Sequence, residues 1–175
     1  MSTIRGYDPE TLREIVDQRE CRERLDALGE QRSLPALLER VWLLKVLGDL
    51  DAALSYAELA VRQARMAGTR KDLLRARVLH ATVLQARRSY GAAIAELDTC
   101  ADEAEGQSWP NVAAFALQHR GKVYYDMGRF DEARADFKRA LFLRQEAGAP
   151  EEALQTSLQA VDAAERRRAK VAVSA

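Results

Sequence analysis

Two histidines and two cysteines are the residues of this chain with the most chemistry to offer. His80 and His119 lie in separate stretches of the chain, and Cys21 and Cys100 are isolated from each other and from both histidines. Imidazoles and thiolates hold zinc when about four of them converge. A thiol beside an imidazole makes a nucleophile. Neither pattern is spelled out. No carboxylate stands at ligand spacing to the histidines, Cys21 is far from either of them, and no glycine-rich phosphate loop occurs. The expectation is a chain without catalytic residues, metal or cofactor. The histidines do share nearly one period of the repeat described next, which could bring them close on neighbouring helices.

The elements that must carry these residues are clearest in residues 117–141, LQHRGKVYYDMGRFDEARADFKRAL. Gly128-Arg129-Phe130 reads as a turn, because glycine ends a helix cheaply at positive φ. Leu117, Gly121 and Tyr124 before it, and Phe130, Ala133, Phe137, Ala140 and Leu141 after it, recur at helical spacing. Small residues at Gly121, Ala133 and Ala140 let two helices approach closely. The outline recurs upstream. Tyr90, Ala93, Leu97 and Cys100 stand where the later stretch has Phe130, Ala133, Phe137 and Ala140, and so do Leu50, Ala53, Ala57 and Ala60. Ala53, Ala93 and Ala133 are equally spaced. Cys100 thus occupies a small-residue packing slot and is expected to be buried and reduced.

This pattern resembles the tetratricopeptide repeat, a helix pair marked by bulky, Leu-Gly, aromatic, Ala, aromatic and Pro positions. Leu117, Gly121, Tyr124, Gly128, Phe130, Ala133, Phe137 and Ala140 carry the match in the third copy. It departs at Arg120, where the family usually has Leu, and at Gln145, where it usually has Pro. The second copy has Ala81 and Leu84 for the Gly and Tyr; the first has Val41 and Leu44. The period from Ala53 to Ala93 to Ala133 exceeds the usual value of about 34, which implies a longer subtype. The resemblance covers roughly residues 31–165. It implies an all-α fold, a right-handed solenoid of three antiparallel helix pairs with a capping helix at each end. The expected boundaries are an N-terminal capping helix in 1–30, repeats at about 31–69, 71–108 and 111–148, and a C-terminal capping helix and tail in 150–175.

In such a solenoid the first helix of each pair lines the concave surface. The resemblance places Leu38, Trp42, Lys45 and Val46 of the first repeat there. From the second it places Arg75, Val78, Leu79, Thr82 and Gln85, and from the third Phe115, Gln118, His119, Lys122 and Tyr125. Trp42 reads two ways, as a flat aromatic anchor for a ligand or as packing beneath the N-terminal helix. Some family members grip a C-terminal carboxylate with Asn and Lys side chains. Trp42 and Leu79 stand where that clamp places Asn, and Phe115 where one Lys would fall, so a carboxylate clamp is rejected. An amphipathic helix or an extended apolar segment is the expected ligand.

Local signals place the helices in order. Residues 1–7 read as disordered. Asp8-Pro9 marks a helix start, followed by an apolar stripe of Leu12, Ile15, Val16, Leu25 and Leu28 that ends near Gly29. That segment reads as a cap on the first repeat or as a detachable, self-associating arm. Further helices are expected at 35–47, 50–66, 70–87, 90–105, 110–127, 130–147 and roughly 150–169, with Ser33, Asp49, Thr69 and Ser89 as caps. The tail from Arg166-Arg167-Arg168 onward is expected to fray. Its three arginines suit a helix C-terminus, or contact nucleic acid.

Composition bounds the function. Of the residues 47% are hydrophobic, enough for a core, and the 27 basic and 27 acidic side chains cancel. A zero net charge argues against direct nucleic-acid or membrane-surface binding, which needs a basic excess. No apolar run spans a membrane, and the N-terminus lacks a secretory apolar core, so a cytoplasmic location is expected. The Arg- and Ala-rich usage points to a GC-rich, bacterial genome. The expected function is a non-enzymatic protein-interaction module, adaptor, scaffold or regulator, binding a partner's peptide or helix in the groove. The alternatives are a subunit that forms a homodimer through its terminal helices, or a sensing module acting with a DNA-binding partner.

Overall fold

Small side chains decide how closely these helices approach. In a computed structural model, which describes residues 4–174, the small and medium positions that align from one copy of the repeat to the next are buried. At the bulky position opening each second helix, Phe130 is buried and Leu50 and Tyr90 are half-buried. Ala53, Ala93 and Ala133 are fully buried, as are Leu97 with Phe137 and Cys100 with Ala140; Ala57 and Ala60 fill the matching slots of the first copy. The elements are β1 (Ile4–Tyr7), β2 (Glu14–Val16), α1 (Gln18–Leu28), α2 (Leu34–Leu47), α3 (Leu50–Ala67), α4 (Arg70–Ala86), α5 (Tyr90–Gly106), α6 (Pro110–Asp126), α7 (Phe130–Glu146) and α8 (Glu151–Ser174). The fold class is the expected one, an all-α helical repeat, with a two-stranded hairpin added at the front. No helix among the described residues is long and apolar enough to cross a membrane.

The chain divides into two compact units. The first comprises residues up to Tyr7 with Glu14–Ala92, and the second Asp8–Arg13 with Ala93–Ala175. In the first, α1 packs on α2, α2 on α3 and α3 on α4. Val41, Leu44, Ala53, Ala57 and Val83 form one core cluster, and Ala64, Leu73 and Ala76 another. The Thr69–Asp72 capping box forms as expected, with Thr69 N–H donating to the Asp72 carboxylate at 3.0 Å and Asp72 N–H to the Thr69 hydroxyl at 3.2 Å. That hydroxyl, donating to the carboxylate, holds the Asp72 pKa below its usual value.

In the second unit α6 packs on α7 and α7 on α8. Gly121 is what allows the first contact. A Cβ built there would lie 2.5 Å from Phe137 Cε1, inside any permitted contact. The turn that joins α6 to α7 closes as the sequence predicts: Gly128 has φ 75°, and Arg129 N–H returns to the Tyr124 carbonyl at 2.9 Å. Arg120, the departure from the repeat pattern, is half-buried between α5 and α7, where it pairs with Asp98 and Asp136.

Expectations about both ends are corrected. The helix expected from Asp8 does not form. Asp8-Pro9 does start a helical turn, with Leu12 N–H donating to the Asp8 carbonyl at 2.8 Å. That turn stops at once because Leu12 takes φ 57°. Glu14–Val16, with two β-branched residues, then pairs antiparallel with Ile4–Tyr7. Helix α1 begins only after Asp17, whose carboxylate accepts from Arg19 N–H and Glu20 N–H. Residues 4–7 are therefore strand rather than disordered, and 1–3 lie outside the described residues. At the other end α8 runs on to Ser174 instead of fraying from Arg166, because Ala169–Val173 contains no helix breaker. The three arginines are thus within the helix. Arg167 lies 5.4 Å over the Phe130 ring, and Arg168 pairs with Asp131 at 2.6 Å. Side-chain partners within the second unit, rather than the helix dipole, account for Arg167 and Arg168, and Arg166 donates to the Pro9 carbonyl.

Candidate partner-binding surface

The first-helix residues expected to line a groove divide by what α2, α4 and α6 must bury. On α2, Leu38 packs against the Ala64–Leu73–Ala76 cluster. Trp42 and Val46 pack against Cys21, Leu28, Ala36 and Leu43. Of the two readings of Trp42, packing beneath α1 is the one observed. Lys45 donates to Glu14 Oε1 at 3.3 Å, with side-chain exposures of 11% and 17%. β2 therefore brings a carboxylate to the one cation of this set on α2.

On α4, Val78 is fully buried and Thr82 is 4% exposed, its hydroxyl donating to the Leu79 carbonyl at 2.7 Å. Leu79 packs on the cluster around Val83. Arg75 is exposed and Gln85 half-buried. Of the candidates on α4, then, Arg75 is the one presented openly to solvent.

On α6, Gln118 is buried, its Oε1 accepting from the Ser157 hydroxyl at 2.9 Å. Ser157 Oγ in turn accepts from Arg144 at 2.6 Å, so the expected ligand donor serves α6–α8 packing instead. Tyr125 is 6% exposed, its ring edge-on to Phe130 and its hydroxyl donating to the Glu10 carbonyl at 2.9 Å. Burial pushes that phenol's pKa up. Phe115, His119 and Lys122 remain half-buried at helical spacing along one strip. The Phe115 and His119 rings meet at 89° with centroids 4.7 Å apart, an edge-to-face pair.

Among the described residues, no group of three or more His, Cys, Asp or Glu side chains is placed to hold a metal. Cys21 and Cys100 are both buried free thiols, and burial raises the Cys21 pKa, which makes it a poor nucleophile.

What the sequence reading missed is the hairpin tip, Asp8–Arg13, which reaches Tyr125. A signal was present in the run Glu14-Ile15-Val16, which suits a strand better than a helix, and in Gly6 before the turn.

Comparison with known proteins gives the fold and one repeat. Residues 114–147 match the family model described as Tetratricopeptide repeat. Among solved structures, "Crystal structure of BtubC (BKLC) from P. vanneervenii" is similar to this chain with a TM-score of 0.56 and 20% identity. The match covers 89% of this chain and 74% of that one. None of the curated proteins compared with the chain matches it. The chain has an all-α helical-repeat fold, and its α6–α7 helix pair is similar to a tetratricopeptide repeat.

Proposed function

We propose that this chain is a non-enzymatic protein-interaction module, an adaptor or regulator that takes a peptide or helix of a partner protein against the first helices of its helix pairs. The observation that supports this reading is the strip on α6. Its buried face is fully used by packing, yet Phe115 and His119 stay half-open as an edge-to-face aromatic pair, with Lys122 one turn further on. An aromatic pair beside a cation suits an apolar side chain flanked by an acidic or carbonyl acceptor, the chemistry of a docked helix or extended segment.

The test is retention of partners from the native host by wild type and by a Phe115→Ala, His119→Ala double variant, followed by mass spectrometry. The double variant is expected to keep its helix content and to lose the partner. Equal retention by both would remove α6 from the binding surface. Trp42 and Tyr125 are unsuitable for this purpose, because both are packed into clusters and their truncation would report unfolding.

A further inference from the structure

Residues Asp8–Arg13 associate with the second unit, although that unit resumes only at Ala93, beyond the whole helical part of the first. Nothing in the local sequence ties the tip there, so its side-chain and main-chain contacts must. Leu12 alone of the tip is buried, at 5% exposure, in a cluster with Tyr125, Phe130, Ala160, Val161 and Ala164. It reaches that seat with φ 57°, a backbone that leucine holds only when its surroundings impose it. Tyr125 donates to the Glu10 carbonyl at 2.9 Å and Arg166 to the Pro9 carbonyl at 3.4 Å. The Glu10 carboxylate faces Arg167 at 3.9 Å and Lys170 at 4.0 Å.

An apolar seat for one side chain, donors for two consecutive main-chain carbonyls and two cations for one carboxylate make up the equipment of a peptide-recognition surface. Here it is filled by the chain itself. Pro9, Glu10, Thr11 and Arg13 stay exposed around the single anchor, as in a docked peptide rather than a core segment. We infer that the α6–α8 face around Tyr125 is a peptide site, and that it takes a short turn-forming segment with a leucine anchor and an acidic residue two positions before it. Residues 8–13 are its resident occupant and close it to partner segments of that chemistry until they are displaced. The inference deepens the protein-binding reading above and rests on it.

The experiment uses the full chain and a fluorescein-labelled peptide of residues 6–15, GYDPETLREI. Leu12→Gly in the chain removes the anchor and leaves a residue content at positive φ. The labelled peptide is expected to bind the L12G chain about tenfold or more tighter than wild type, the scale of burying one leucine. A peptide carrying Leu12→Asp is expected to bind neither chain. Glu10→Lys in the chain, at an exposed position that leaves the core alone, is expected to tighten binding of the unaltered peptide about two- to fivefold at low salt. Equal binding to wild type and both variants, or binding to none of them with helix content retained, overturns the inference. In that event a partner still lost on Phe115→Ala, His119→Ala substitution leaves the protein-binding reading standing; if no partner is found either, both fall together.

Discussion

Arg120 grips Asp136 with both prongs of its guanidinium, Nε to Oδ2 at 2.8 Å and Nη2 to Oδ1 at 2.6 Å, and sends Nη1 to Asp98 at 2.7 Å. One side chain of α6 thereby holds α7 and α5 at the position where the repeat pattern usually has leucine. Burial raises the pKa of the Asp136 carboxyl, and Arg120 opposes that shift. The same pairing pushes the Arg120 pKa up, so the guanidinium stays charged.

Arg120→Leu, which restores the usual residue, is therefore expected to destabilise the fold by about 3 kcal/mol, because it strands a buried carboxylate. Adding Asp136→Ala should recover most of the loss in urea melts. The pH dependence follows from the raised carboxyl. A folded pKa above the unfolded one gives stability that is present at low pH and lost as pH rises through the folded value. The deficit of R120L should accordingly be smaller near pH 4 than near pH 7. A deficit that grows on acidification would contradict this account.

Gly121 meets Phe137 so closely that even a methyl group does not fit. Gly121→Ala is expected to cost about 1–3 kcal/mol through overpacking, despite the better helix propensity of alanine. A thermal melt of G121A at or above the wild-type midpoint would show that α6 and α7 can part without penalty.

The repeat interval that carries Gly48 and Gly128, at φ 88° and 75°, puts Arg88 at φ 62° in the same turn of the middle copy. An arginine is strained there and glycine is not. Arg88→Gly is expected to stabilise the protein by about 0.5–1 kcal/mol, visible as a rise in the denaturation midpoint. A fall would mean that the Arg88 side chain offsets its backbone strain.

Asp8 accepts from Thr11 N–H at 2.7 Å, from the Thr11 hydroxyl at 2.9 Å and from Glu10 N–H at 2.9 Å. These bonds, the Thr11 N–H foremost, hold its pKa below the usual 3.8. A carboxyl depressed in the fold supports it above the unfolded pKa and ceases to as pH falls through the folded one. The Thr11 amide resonance is expected to titrate with a midpoint below 3.8, and Asp8→Asn to abolish that step. A midpoint at or above 3.8 would mean that the tip turn does not persist in solution.

The sequence by itself determined the repeat. Helix periodicity, caps such as Ser33 and Thr69, and glycines such as Gly128 act within one or two turns of chain, so the limits of α2 to α7 were legible to within a residue or so. The small positions Ala53, Ala93 and Ala133 were legible too, because a stacking unit must repeat its packing at its own period. Only the tertiary structure decided what the first helices do with their outward residues. Trp42, Val78, Gln118 and Tyr125 share a helical period with exposed neighbours, and periodicity does not say which side another element covers. The hairpin was hidden for the same reason. Asp8-Pro9 is a sound local signal for one helical turn, but contacts with Tyr125, Phe130 and Arg166, all far along the chain, hold Leu12 in a left-handed backbone that ends the turn. Arg120 was visible as a departure from the pattern; its meaning lay in Asp98 and Asp136, which become its neighbours only when three helices pack together.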